Sequence, residues 1–300
     1  MKLRITLGAL CTVALWALLY SLVKLGFAAY HVETTADLLY FAGVRFTICG
    51  GVICLITLAT GGKRQFANVG RSILPILLSG TFTVILHYSF SYAGLALTPS
   101  GISSLLKQCA VLLYVCCSSL FIKSDKPTPR KIAAAIMGFC GVIVLNLDGV
   151  GGITFTLGSV LILISSFCAV AADIVNKNLF RTVSPIAVTG ISQAFGGVVL
   201  LIVGKAMGGS AQFAFDSSLW LMVGICAASI TSFCIWHSIM REGELSRMFI
   251  IKFSEPLFAC VFGALLLGEN IRDIRYLIAL LLIGGSIALL NLPQKKKALQ

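Results

Sequence analysis

The chain has 300 residues, of which 58% are hydrophobic and 11% charged, and its formal net charge is +12. Soluble domains carry about a quarter charged residues, so a soluble globular fold is excluded and most of the chain must lie in lipid. The basic excess falls in short clusters between apolar runs, a pattern that sets membrane topology and not one that tracks phosphates, so no nucleic-acid partner is expected.

A helix crossing the roughly 30 Å hydrocarbon core needs about 20 mostly apolar residues. Ten windows meet this: 5–26, 37–60, 71–93, 101–122, 130–147, 154–176, 185–206, 218–240, 246–268 and 274–292. Met1-Lys2-Leu3-Arg4 ahead of the first run imitates a signal peptide, but the run to Val23 is too long for an h-region and no small-x-small site follows; it reads as a retained span. The connectors hold the turn formers and charges, as in Gly61-Gly62-Lys63-Arg64, Lys123-Ser124-Asp125-Lys126-Pro127, Asp148 to Gly152 and Gly208-Gly209-Ser210. Runs this long without period-2 alternation exclude a barrel and leave helices to satisfy the backbone. The eleven cysteines all lie inside apolar runs without a CxxC pair, so they read as packing residues, and neither disulfide, metal nor cofactor is expected.

Lys and Arg set the direction. With the N-terminus cytoplasmic, the inner side holds sixteen basic residues, from Lys2 to Lys295–Lys297, and the outer side four: Lys24, Lys205, Arg272 and Arg275. The positive-inside rule then places both termini in the cytoplasm, in a plasma membrane taken to be a bacterial inner membrane.

Lys107 and Lys252 lie 145 positions apart, and the same offset pairs Arg130 with Arg275 and Asn146 with Asn291 across 98–146 and 243–291. Five spans per half is odd, so the two repeats insert with opposite orientation, a plan that puts a site near the midplane. The expectation is an all-α membrane protein: ten transmembrane helices in a five-plus-five inverted repeat, with repeats at 1–147 and 154–292 and a basic tail at 293–300.

Charged residues inside spans are costly and mark functional sites by default. Lys252 and Glu255 share a helix face at i,i+3; they serve either as a substrate cation beside a proton-exchanging carboxylate or as an internal ion pair. Pro256 favours a kink. Lys107 shares a face with Ser100 and Ser104, has Gln108 alongside, and must find a cavity or a partner such as Glu255. Arg45 suits a carboxylate or phosphate, or clamps a neighbouring helix. Trp16, Tyr20 and Thr12 form one stripe, either a pocket wall or packing. Gln193 acts as a ligand or as interhelical glue. His87 and His237 titrate near neutral pH or merely bond between helices, with His87 a proton-coupling candidate. Asp173 and Lys177 read as an i,i+4 interfacial pair. The glycine pairs, among them Gly50-Gly51, Gly138 with Gly141, and Gly196-Gly197, allow close helix approach, and spans 5 and 10 brace the fold or form a homodimer face.

Trp16 followed by Lys24, Arg45 in span 2, and Glu255-Pro256 leading to Leu265-Leu266-Leu267-Gly268-Glu269 resemble the drug/metabolite transporter superfamily, specifically its EamA-like branch. Val111 stands where that family has Pro, and Ser124-Asp125 where it has Gly-Glu. The resemblance implies a secondary transporter, commonly an exporter, working by alternating access on a small-molecule substrate. Arg45, Lys107 and Lys252 against Glu255 leave about two excess positive charges at depth, which favours a small organic anion; a zwitterionic amino acid is the close second and a drug the third. No HExxH, GxSxG or Asp-rich pair supports an intramembrane enzyme. A membrane scaffold or lipid scramblase would not need the two lysines.

Overall fold

The computed structural model describes residues 3–95, 97–98, 100–146, 156–211, 219–268 and 273–292. Among them are helices and connectors and no strand. In chain order they are α1 (Leu3–Ala29), α2 (Thr35–Gly61), α3 (Gly70–Leu95), α4 (Ser100–Phe121), α5 (Pro129–Leu145), α6 (Leu157–Leu179), α7 (Pro185–Ala206), α8 (Leu219–Met240), α9a (Leu245–Lys252), α9b (Glu255–Leu267) and α10 (Ile274–Asn291). Eight stretches are long and apolar enough to cross a membrane, and α4 adds a shorter apolar run, Leu106–Phe121. This is a multi-pass helical membrane protein. Lys2, the Asp148 to Gly152 connector, Glu269, Arg272, the side chains of Ser100 and Ser104, and the tail at 293–300 lie outside the described residues.

The helix starts follow local chemistry. Thr34 and Asp37 form a reciprocal capping box at α2, and Thr128 caps α5 ahead of Pro129. Thr156 caps α6. Each cap satisfies amide donors that the first helical turn leaves orphaned.

The tightest contact joins α2 to α7. A Cβ on Gly43 would run into the backbone nitrogen of Leu201, and one on Gly197 into that of Thr47; Gly50 meets Ala194, and Gly204 meets Tyr40, in the same way. Each pair is reciprocal, because Gly197, Leu201, Ala194 and Gly204 stand 154 positions beyond Gly43, Thr47, Tyr40 and Gly50. Gly138 and Gly141 of α5 approach Ser286 and Ile283 of α10 with the same reciprocity at offset 145. Asn146 and Asn291 each donate to the carbonyl four residues back, that of Val142 and of Ile287, so this matched pair finishes two helices. Arg130 donates to the carbonyls of Leu289 and Leu292 at the end of α10.

Span 9, expected as one helix over 246–268, is two. The chain breaks at Phe253 and Ser254, whose amides bond to Ile250 and Ile251, and Pro256 sits in the first turn of α9b. Proline has no N–H to continue the ladder and clashes with the preceding turn. At the corresponding place in the first half stands Val111, and α4 runs through unbroken. Span 3 carries a different irregularity, a π-helical turn at Thr81–Leu86.

Candidate functional site

A cavity of about 310 Å³ opens between the helices, lined from α1, α2, α3, α4, α6, α8 and both parts of span 9. Its lining includes Trp16, Tyr20, Arg45, His87, Lys107, Gln108, Lys252 and Glu255, together with Asp173 and His237. Gln193 is buried in α7 behind this wall, with neither amide atom partnered, and does not line it. The lining runs up to Lys24, Phe27 and Leu95 near one end of the bundle.

Two helical irregularities shape the cavity. The π turn of α3 ends at His87, whose Nδ1 lies 2.9 Å from the Ser165 carbonyl. That contact requires Nδ1 to carry the hydrogen. The break in span 9 separates Lys252 from Glu255, so the i,i+3 pairing expected from an intact helix does not form. Glu255 instead accepts a hydrogen bond from the Tyr20 hydroxyl at 2.8 Å and acts electrostatically on Lys107. Lys252 lies 4.0 Å from Asp173 Oδ2, and Trp236 Nε1 donates to Asp173 Oδ1 at 3.3 Å.

The expected Asp173–Lys177 pair is likewise replaced by tertiary partners. Lys177 donates to the carbonyls of Met240 and Gly243, each at 2.6 Å, and of Arg241 at 3.3 Å. It thereby closes the end of α8 and leaves Asp173 to face the cavity. Arg45 is 3% exposed; it donates to the Tyr88 hydroxyl at 3.1 Å and lies over the Phe46 ring at 4.2 Å. Its Nε has no partner, and no carboxylate among the described residues pairs with it. Gln108 Oε1 is also buried and unpartnered. His237 bonds between helices, 2.6 Å from Thr189 Oγ1 and 3.4 Å from Asn176 Nδ2.

The walls are aromatic. Trp16 packs on Phe233 and Trp236, and Tyr88 on Tyr92. Asp173, Trp236, Phe233, Tyr88 and Tyr92 were not singled out from sequence as lining residues; a carboxylate inside the apolar window 154–176 was the available signal for Asp173.

The opposite end of the bundle is shut by charge. Asp125, 3% exposed, accepts from the Ser246 amide at 2.8 Å and hydroxyl at 2.5 Å, from Lys131 Nζ at 2.8 Å and from the Tyr114 hydroxyl at 3.3 Å. Lys131 also meets Glu244 at 3.0 Å, and Glu244 meets Arg247 at 2.7 Å. This network ties the α4–α5 connector to the start of α9a. No group of three or more metal-ligating side chains occurs among the described residues.

A helical membrane protein with a deep, charged, aromatic-walled cavity has the form of a small-molecule transporter. The chain belongs to the EamA-like transporter family, whose model matches residues 3–147 and again 156–292. It is similar to a "probable amino-acid metabolite efflux pump" of Escherichia coli K12, 23% identical over 292 residues, covering 92% of this chain and 91% of that protein. An "aromatic amino acid exporter" of Ancylobacter novellus is 25% identical over 229 residues, 72% of this chain and 75% of that one. An uncharacterized transporter of Acidianus ambivalens is 26% identical over 223 residues, 73% and 80% respectively. A solved crystal structure shares the fold at TM-score 0.79 and 19% identity, covering 97% of this chain and 98% of that one. The protein is therefore a membrane transporter of the drug/metabolite type.

Proposed function

We propose that this chain is a secondary exporter of small carboxylate-bearing metabolites, built as two inverted five-span repeats at 1–147 and 154–292 with both termini cytoplasmic, and working by alternating access. The duplication is supported by the twofold family match and by the reciprocal α2–α7 and α5–α10 contacts. In this topology the cavity faces outward and the Asp125 network seals the inner side.

The observation that carries the substrate reading is the gathering of Arg45, Lys107, Asp173, Lys252 and Glu255 around a single cavity. Buried charges demand partners. Asp173 faces Lys252, and Glu255 has the Tyr20 hydroxyl with Lys107 acting on it, whereas the Arg45 guanidinium has the Tyr88 hydroxyl alone and keeps a buried, unpartnered Nε. Arg45 is the place for a substrate carboxylate, with Lys107 and Lys252 on its approach and Gln108, Trp16 and Tyr20 completing the walls. Asp173 lowers the excess from two positive charges to one, so an amino acid with an apolar side chain fits better than a multiply charged anion or phosphate ester. The names of two relatives agree with this class. The cavity volume lies at the lower end of the usual ligand range, about 300–1,000 Å³, which suits a single amino acid.

A ligand that binds the native state raises its apparent thermal stability. Purified protein is expected to be stabilised by apolar amino acids and their deaminated analogues, with the shift lost in Arg45→Gln. Stabilisation by lipophilic cations with none by carboxylates would overturn the reading. Glu255 and His87 are the proposed proton-coupling groups; Glu255→Gln is expected to stop net flux driven by a pH gradient while leaving substrate exchange.

A further inference from the structure

We propose that the aromatic box holding the Lys252 ammonium, closed by the Asp173 carboxylate, is the subsite for the ammonium group of a substrate, and that Lys252 occupies it in this structure. This rests on the exporter reading above. The Lys252 Nζ lies 5.1 Å from the ring centroid of Trp16, 5.1 Å from Phe249 and 5.3 Å from Trp236. Three aromatic rings with negative faces lie within 5.3 Å of this one ammonium, and Asp173 Oδ2 stands 4.0 Å from it. Trp236 serves twice, offering its face to the ammonium while its Nε1 holds the other carboxylate oxygen at 3.3 Å.

Such a box is built to retain a cation. It opposes the release of Lys252 to a substrate carboxylate, unless a second ammonium takes the vacated place. Lys252 can leave because it is the last residue of α9a, at the break, and carries a flexible four-carbon stem. Tyr20, Lys107 and Glu255 continue the cavity wall. Exchanging one ammonium for another leaves Asp173 paired throughout, so no buried charge is stranded during binding. The Trp16 Nε1, buried and without a partner, supplies a donor beside the box for an acceptor that arrives with the ligand.

The test compares phenylalanine, phenylpropionate and phenethylamine, which carry both charges, the carboxylate alone and the ammonium alone. Their affinities for the full chain in detergent would be measured by titration calorimetry, on wild type and Asp173→Asn. Loss of a hydrogen bond to a charged group is worth roughly tenfold or more, so phenylalanine and phenethylamine are expected to weaken at least that far while phenylpropionate holds. Equal weakening of all three, or of phenylpropionate alone, would overturn the subsite and make Asp173 a support for Lys252. Failure of the wild type to bind any of them overturns the amino-acid reading and the subsite together. If Asp173→Asn does not fold, Trp16→Leu removes one face of the box with every charge kept, and the same split is expected.

Discussion

Asp125→Asn should loosen the closed end of the bundle selectively. The carboxylate is buried and takes four hydrogen bonds, two of them from Ser246 at the start of α9a and one from Lys131. Asparagine keeps one acceptor oxygen and turns the other into an amide donor facing the Ser246 and Lys131 donors. Removing one partner of a buried pair costs about 3–5 kcal/mol. Glu244 remains 3.0 Å from Lys131 and offsets part of this, which leaves about 2–3 kcal/mol, or roughly 30- to 150-fold in population. The loss falls on the conformation that contains the network. Hydrogen exchange followed by mass spectrometry should therefore quicken in peptides covering 243–252 by up to that factor. Peptides from the α2–α7 contact should keep their wild-type rates. Uniform acceleration across the protein, or unchanged exchange over 243–252, would refute the idea that these bonds act as a local seal.

The neighbouring glycines of α2 give a paired test: Gly50→Ala must push against the Ala194 backbone, whereas Gly51→Ala enters open space. The first should lower stability by about 1–3 kcal/mol, as overpacking does, and the second should leave the thermal transition unmoved. Arg45→Lys keeps the charge but loses the planar fork and its stacking on Phe46; affinity for phenylpropionate in titration calorimetry should fall roughly tenfold with folding intact. Lys177→Met strips three carbonyls at the end of α8 of their donor and should lower the thermal transition by several degrees without changing ligand affinity at the distant Arg45.

The positions of the apolar helices were legible because length and hydropathy decide them, and Lys107, Lys252, Arg45, Trp16, Tyr20, Gln108, His87 and Glu255 do meet at one cavity. The pairings were not legible. Spacing rules for Lys252 with Glu255 and for Asp173 with Lys177 assume intact helices whose neighbours are local. In the first case the helix breaks between the partners; in the second, the carbonyls of Met240, Arg241 and Gly243 hold Lys177. Gln193 pointed to a ligand only because helical spacing does not say which neighbour covers a face. The α2–α7 relation escaped the 145-residue offset because the intervening connectors differ in length, so these helices align at 154.

The two lysines that the sequence pairs are not equivalent in the fold, and the difference comes from one residue per half. Val111 permits α4 to run unbroken past Lys107, which fixes that ammonium on a continuous helix whose Nζ lies 5.6 Å from the Tyr20 ring centroid. Pro256, at the matching place, ends the ladder after Lys252 and leaves its stem at a free helix terminus. The eight residues of α9a then connect two very different contacts, the Asp125 network at the first turn and the aromatic box at the last. A rigid helix of eight residues spans about 12 Å, so the aromatic box and the Asp125 network are carried by the two ends of one short element. Site and seal are joined on the side of the molecule where the helix is broken, with Pro256 in the first turn after the break between α9a and α9b.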